Sequence, residues 1–158
     1  MATLKLANTA QRVKSIVFEW NFGDSLKNTL GNLQDFGSVN TAAVAGTPDA
    51  DSKFAIATLP MGAMVVGGAI TRSVAFDTLG YDITVGDVDN NSAYFATADL
   101  KGTGSNALVP TGIPCTTANG CSIIITVAND DVCTTGKAKV RVDYIVPGRA
   151  EEVTAPGT

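Results

Sequence analysis

Cys115, Cys121 and Cys133 are the residues whose type could support covalent or metal chemistry. A zinc site would need these three thiolates plus a carboxylate. The spacing of six and then twelve residues lacks the tight pairing of a zinc knuckle or ribbon. An odd cysteine count cannot pair fully within one chain, and free thiols in or near strands suit a reducing compartment. A Cys115–Cys121 bridge across a short loop is the alternative. Oxygen donors recur in Asp87-Val88-Asp89-Asn90-Asn91-Ser92 as they do at the start of a calcium loop. The pattern then fails, with Ser92 at the glycine position and Ala98 where a bidentate glutamate belongs. A turn between strands explains the same residues, because Asp and Asn tolerate left-handed backbone. The pairs Asp130-Asp131 and Glu151-Glu152 read as solvated loop and tail residues. Lys137, Lys139 and Arg141 recur at every second position. They could form a docking stripe for an acidic partner, or simply be the solvated face of a strand.

The sequence contains no histidine. The commonest general base and metal ligand is therefore missing, and a Ser-His-Asp or Cys-His arrangement cannot be built. No phosphate-binding glycine loop is present. These absences argue against an enzyme and imply no cofactor. The net charge of −4 and a pI near 4.6 disfavour nucleic acid and anionic membrane as partners. The leading residues MATLKLANTAQRVKS lack the apolar core of a signal peptide, and no apolar run approaches the ~18 residues of a membrane span. Synthesis in a cytoplasm is the expectation.

The chain that must position these residues reads as one domain of 158 residues. Hydrophobic residues make up 45% and charged residues 16%, enough for a core. Residues 1–13 read as an extended N-terminal arm, with a short frayed helix as the alternative; twelve extended residues reach about 40 Å. In KSIVFEWNF, residues 14–22, Ile16, Phe18, Trp20 and Phe22 share one face, the alternation of a half-buried strand. Leu26, Leu30, Leu33 and Phe36 fit one helical face, with Asp24 as a candidate cap, so a short helix is expected over 24–36. Residues 37–52 read as a long exposed loop.

Strands follow at 53–59, 62–76, 81–86, 93–100, 122–128 and 137–146, with a bulge or bend at Gly67-Gly68. Residues 101–121 read as a turn-rich segment. In the last strand Val140, Val142, Tyr144 and Val146 face inward, while Lys137, Lys139, Arg141 and Asp143 face outward. Seven or eight strands predict an all-β sandwich or barrel over 14–148, with a polar tail at 149–158.

The stretches IATLPMGAMVVGGAITRSVAFDT, YDITVGDVDNNSAYFATADLKGTG, SIIITVANDD and GKAKVRVDYIVPGRAEE resemble tailed-bacteriophage capsid decoration, or cement, proteins. The resemblance covers about residues 55–152. It implies a jelly-roll-like sandwich that binds the outside of the capsid as a homotrimer and staples the major capsid protein. It carries over no catalytic residues. It also implies a virion location. The reach of the arm and the cationic row make Leu4, Leu6 and Arg12 and Lys137, Lys139 and Arg141 the candidate contacts to capsid or neighbouring subunits. The cysteines, the Leu-patterned segment and the lack of histidine depart from the pattern without opposing a structural role. Alternatives are another virion component, such as a head fibre base, minor capsid or tail protein, and a carbohydrate- or receptor-binding sandwich. The low aromatic content of 6% gives the last little stacking surface.

Overall fold

A computed structural model describes residues 12–38, 52–78 and 80–147. Among them are ten strands: β1 (Lys14–Asn21), β2 (Ser25–Lys27), β3 (Leu33–Asp35), β4 (Lys53–Leu59), β5 (Met64–Val74), β6 (Asp82–Gly86), β7 (Phe95–Asp99), β8 (Gly104–Ala107), β9 (Cys121–Ala128) and β10 (Lys137–Ile145). Two four-stranded antiparallel sheets carry the fold, in the orders β1-β10-β5-β8 and β4-β9-β6-β7. β2 and β3 pair as a separate hairpin.

Alternation along the strands decides what the sheets bury. Trp20, Ile70, Val140 and Val142 of the first sheet share one core with Phe54, Ile83, Val85, Ile123, Ile125 and Val127 of the second. Each such side chain contributes about 1.5–3 kcal/mol on leaving water. The predicted all-β sandwich is therefore the observed architecture. Lys137, Lys139 and Arg141 alternate outward between the buried Ala138, Val140 and Val142.

Gly67-Gly68 lies at an irregularity, as expected. The β5–β10 register slips between Asp143 and Tyr144, passing over Val66. Gly68 has φ +144°, and a Cβ there would lie 2.1 Å from the Arg141 carbonyl oxygen.

The helix expected over 24–36 does not form. Asn28 Oδ1 accepts the amides of Leu30 at 3.0 Å and Asn32 at 2.9 Å, and Gly31 turns the chain at φ +87°. A tight hairpin results. Phe36 is buried, whereas Leu30 and Leu33 project into solvent at 61% and 70% exposure. The apparent helical stripe is thus two core contacts and two exposed leucines. Asp24 closes a turn by accepting the Asn21 amide at 2.8 Å instead of capping a helix.

The segment 101–121 is also more ordered than expected. It contains β8, whose residues Gly104 to Ala107 pair with Arg72 to Ala69. The arm before Arg12, most of the expected loop at 37–52 and the tail at 149–158 lie outside the described residues.

Candidate functional site

The cysteines are partly a correction. Cys115 and Cys121 form a disulfide, while Cys133 is free and buried. Sequence spacing alone left both arrangements open. Residue 115 is brought to its partner by an isolated bridge between Pro114 and Met64 and by backbone bonds from Cys115 to Ala63 and from Gly62 to Cys115, each 2.7 Å. Burial pushes the Cys133 thiol up, and its sulfur lies 3.4 Å from the Thr78 hydroxyl.

The acidic segment after β6 is a turn. Asp87 Oδ1 accepts the amides of Asp89 at 3.0 Å and Asn90 at 2.8 Å. Burial, and then the charge of Asp87, push the Tyr94 phenol up to about 12. No group of three or more potential metal ligands occurs among the described residues.

The outward row of β10 sits in the middle of its sheet. In register, Lys137 faces Asn21, Lys139 faces Glu19 and Arg141 faces Val17 across the β1 boundary. On the other side Lys139 and Arg141 face Thr71 and Ala69 of β5. Beyond these come Ser105 and Ala107 of β8. Small side chains therefore flank Lys139 and Arg141 on the β5 side. The row is not an uncompensated positive stripe. Lys137 Nζ lies 2.7 Å from Glu19, and Arg141 lies 3.2 Å from Asp143. The Lys137 hydrogen bond holds the Glu19 carboxyl below its ordinary range, and Glu19 raises Lys137 in return. Asp143 also accepts the Ser15 hydroxyl at 2.6 Å.

No protein-family model matches this chain, and no curated protein matches it. Solved structures do match. Across 93% of its length the chain aligns with 93% of a chain of the Cyanophage Pam1 capsid asymmetric unit, at 19% identity and a TM-score of 0.57. These two chains share a fold. A chain of the acidic stable capsid structure of Helicobacter pylori bacteriophage KHP30 aligns at 15% identity and a TM-score of 0.48, over 87% of this chain and 94% of that one.

Of the contact residues expected from sequence, Lys137, Lys139 and Arg141 lie together on the outer face of β10. Arg12 is exposed two residues before β1, and Leu4 and Leu6 lie outside the described residues. Sequence reasoning missed the state of the four sheet edges. β4 carries an extra residue between Ala55 and Ala57, and β7 carries one opposite the Ile83–Val85 step. β8 has four residues. β1 pairs with β10 over eight residues without a shift. Bulges and short length are the usual protections of an edge, and β1 has neither.

Proposed function

We propose that this chain is a structural protein of a bacteriophage virion, a decoration protein that binds the outside of the capsid and staples neighbouring major capsid subunits. The observation that carries this reading is the likeness to a chain of the Pam1 capsid asymmetric unit, which spans 93% of both chains. The sequence resemblance to cement proteins is a second support. The strand orders β1-β10-β5-β8 and β4-β9-β6-β7 support a jelly roll, since successive strands are distributed over two facing sheets as Greek keys require.

A role in contact, without a reaction, fits what the chain offers. It has no histidine, and its outer β10 face joins paired charges to small flanking side chains. In this reading the cationic row and the arm residues Leu4, Leu6 and Arg12 meet the capsid or a neighbouring subunit. A homotrimer would present three copies of each weak contact, so they reinforce one another through effective concentration. Production in the host cytoplasm precedes binding to the shell.

The test is reconstitution. Purified chain is added to capsids that lack it, and its position is read in an electron-microscopy map. Density on the outer surface at three-fold positions is the expected result. Absence of binding, or density in the tail or inside the shell, would overturn the assignment. Light scattering of the free chain tests the trimer.

A further inference from the structure

The Asp24 turn fixes which backbone groups of β1 face outward. The Asn21 amide and carbonyl are both taken by Asp24, through the 2.8 Å bond to its carboxylate and the 3.1 Å bond from its amide. Both Asn21 groups therefore point away from β10. At the next residue, the Phe22 amide bonds to the Gly136 carbonyl on the β10 side at 3.1 Å. Antiparallel pairing alternates these directions residue by residue. The amides and carbonyls of Ser15, Val17 and Glu19 consequently point out of the edge that no other described strand covers. All three residues are exposed, Val17 at 59%.

We propose that this edge binds a second copy of the same chain, β1 against β1 in antiparallel register about a two-fold axis at Val17. The available groups are symmetric about that residue. Centring on Val17 sets Val17 against its counterpart and Ser15 against Glu19 in both directions, so every outward group finds a partner. A register centred on Phe18 would set Ser15 against Asn21, whose amide and carbonyl are already occupied. The side chains agree. On the outer face valine meets valine, and Glu19 meets Ser15 instead of a like charge. On the inner face Ile16 meets Phe18 twice, and both are partly buried side chains already packed on the core. The same patch on both copies makes the contact isologous, so each edge is satisfied by one partner edge. The inference goes beyond capsid binding and does not depend on it; within a trimer it would join one trimer to the next.

Residues opposite each other in a hydrogen-bonded antiparallel pair lie within disulfide range. Val17→Cys is therefore expected to yield a covalent dimer under mild oxidation, with the bond mapped by mass spectrometry to the two introduced thiols. Ser15→Cys alone should yield none, while an equal mixture of Ser15→Cys and Glu19→Cys should yield the mixed dimer. Val17→Pro removes an amide that faces away from β10, so it should lower the sedimenting mass of the full chain while leaving its circular dichroism intact. Val17→Glu, which sets like charges across the axis, should lower it too if the proline variant misfolds. Equal mass for wild type and both variants would overturn the pairing. So would efficient cross-linking of Ser15→Cys without that of Val17→Cys.

Discussion

Asp77 ties the end of β5 to a turn far along the chain. Its carboxylate accepts the Thr134 amide at 2.9 Å and the Thr135 amide at 3.3 Å, as well as the Thr134 hydroxyl. The Thr134 hydroxyl, and then these amides, hold its pKa below the ordinary value. A depressed folded-state pKa adds stability above the unfolded value, and that stability is lost as pH falls through the folded one. Asp77→Ala should thus lower the melting temperature at neutral pH, and its gap from wild type should close below about pH 4, near the unfolded carboxylate pKa. A gap independent of pH would contradict this account. Gly68 makes a second prediction at this scale. An alanine Cβ would collide with the Arg141 carbonyl and lie 2.8 Å from Leu108 Cδ1, in a backbone region that side chains rarely adopt. Gly68→Ala should cost about 2–4 kcal/mol in urea unfolding. The glycine pair was legible in the sequence as a bend; the carbonyl against which it packs belongs to a strand some seventy residues later and was not.

Among the elements, strands with a polar face and an apolar face declared themselves. β1 and β10 follow their alternation closely, because each lies in a sheet with one wet side. β8 could not be read. Gly-Ser-Asn-Ala has no apolar period, and its strand geometry comes from pairing with β5. The 24–36 segment misled for the opposite reason: its leucines have a helical spacing, but Asn28 and Gly31 determine a turn. The Cys115–Cys121 link is likewise an element-scale feature, since it fixes the approach to β9 beside the corner before β5. Closing a loop of this length should stabilise the fold by about 2 kcal/mol. Cys121→Ser should show that loss in denaturant, with new proteolytic cleavage between residues 109 and 120. Unchanged stability would mean that the backbone bonds at Ala63 and Gly62 already hold the segment.

At the scale of the molecule, Trp20 reports on the whole sandwich. It is the sole tryptophan, 1% exposed, and its ring lies 5.7 Å from Phe18 and 5.8 Å from Phe36. Tryptophan emission and far-ultraviolet circular dichroism should give one coincident unfolding transition, as expected of a single cooperative core. An earlier change in emission would show β1 detaching before the rest. The candidate surface was half legible at this scale. The outward positions 137, 139 and 141 follow from period two, but Glu19, which neutralises Lys137, comes from a strand that only the folded topology brings alongside.

That topology sets Lys14, where β1 begins, opposite Tyr144, near the end of β10. Chain entering β1 and chain leaving β10 therefore depart from one corner. Tension applied between them would act along the interstrand hydrogen bonds, opening the ladder pair by pair from Lys14–Tyr144 toward Asn21–Lys137, as in a zipper. A shear load spread over all eight pairs at once would meet far greater resistance, so a molecule anchored through both ends would be mechanically weak, whereas one gripped across its sheet face would not.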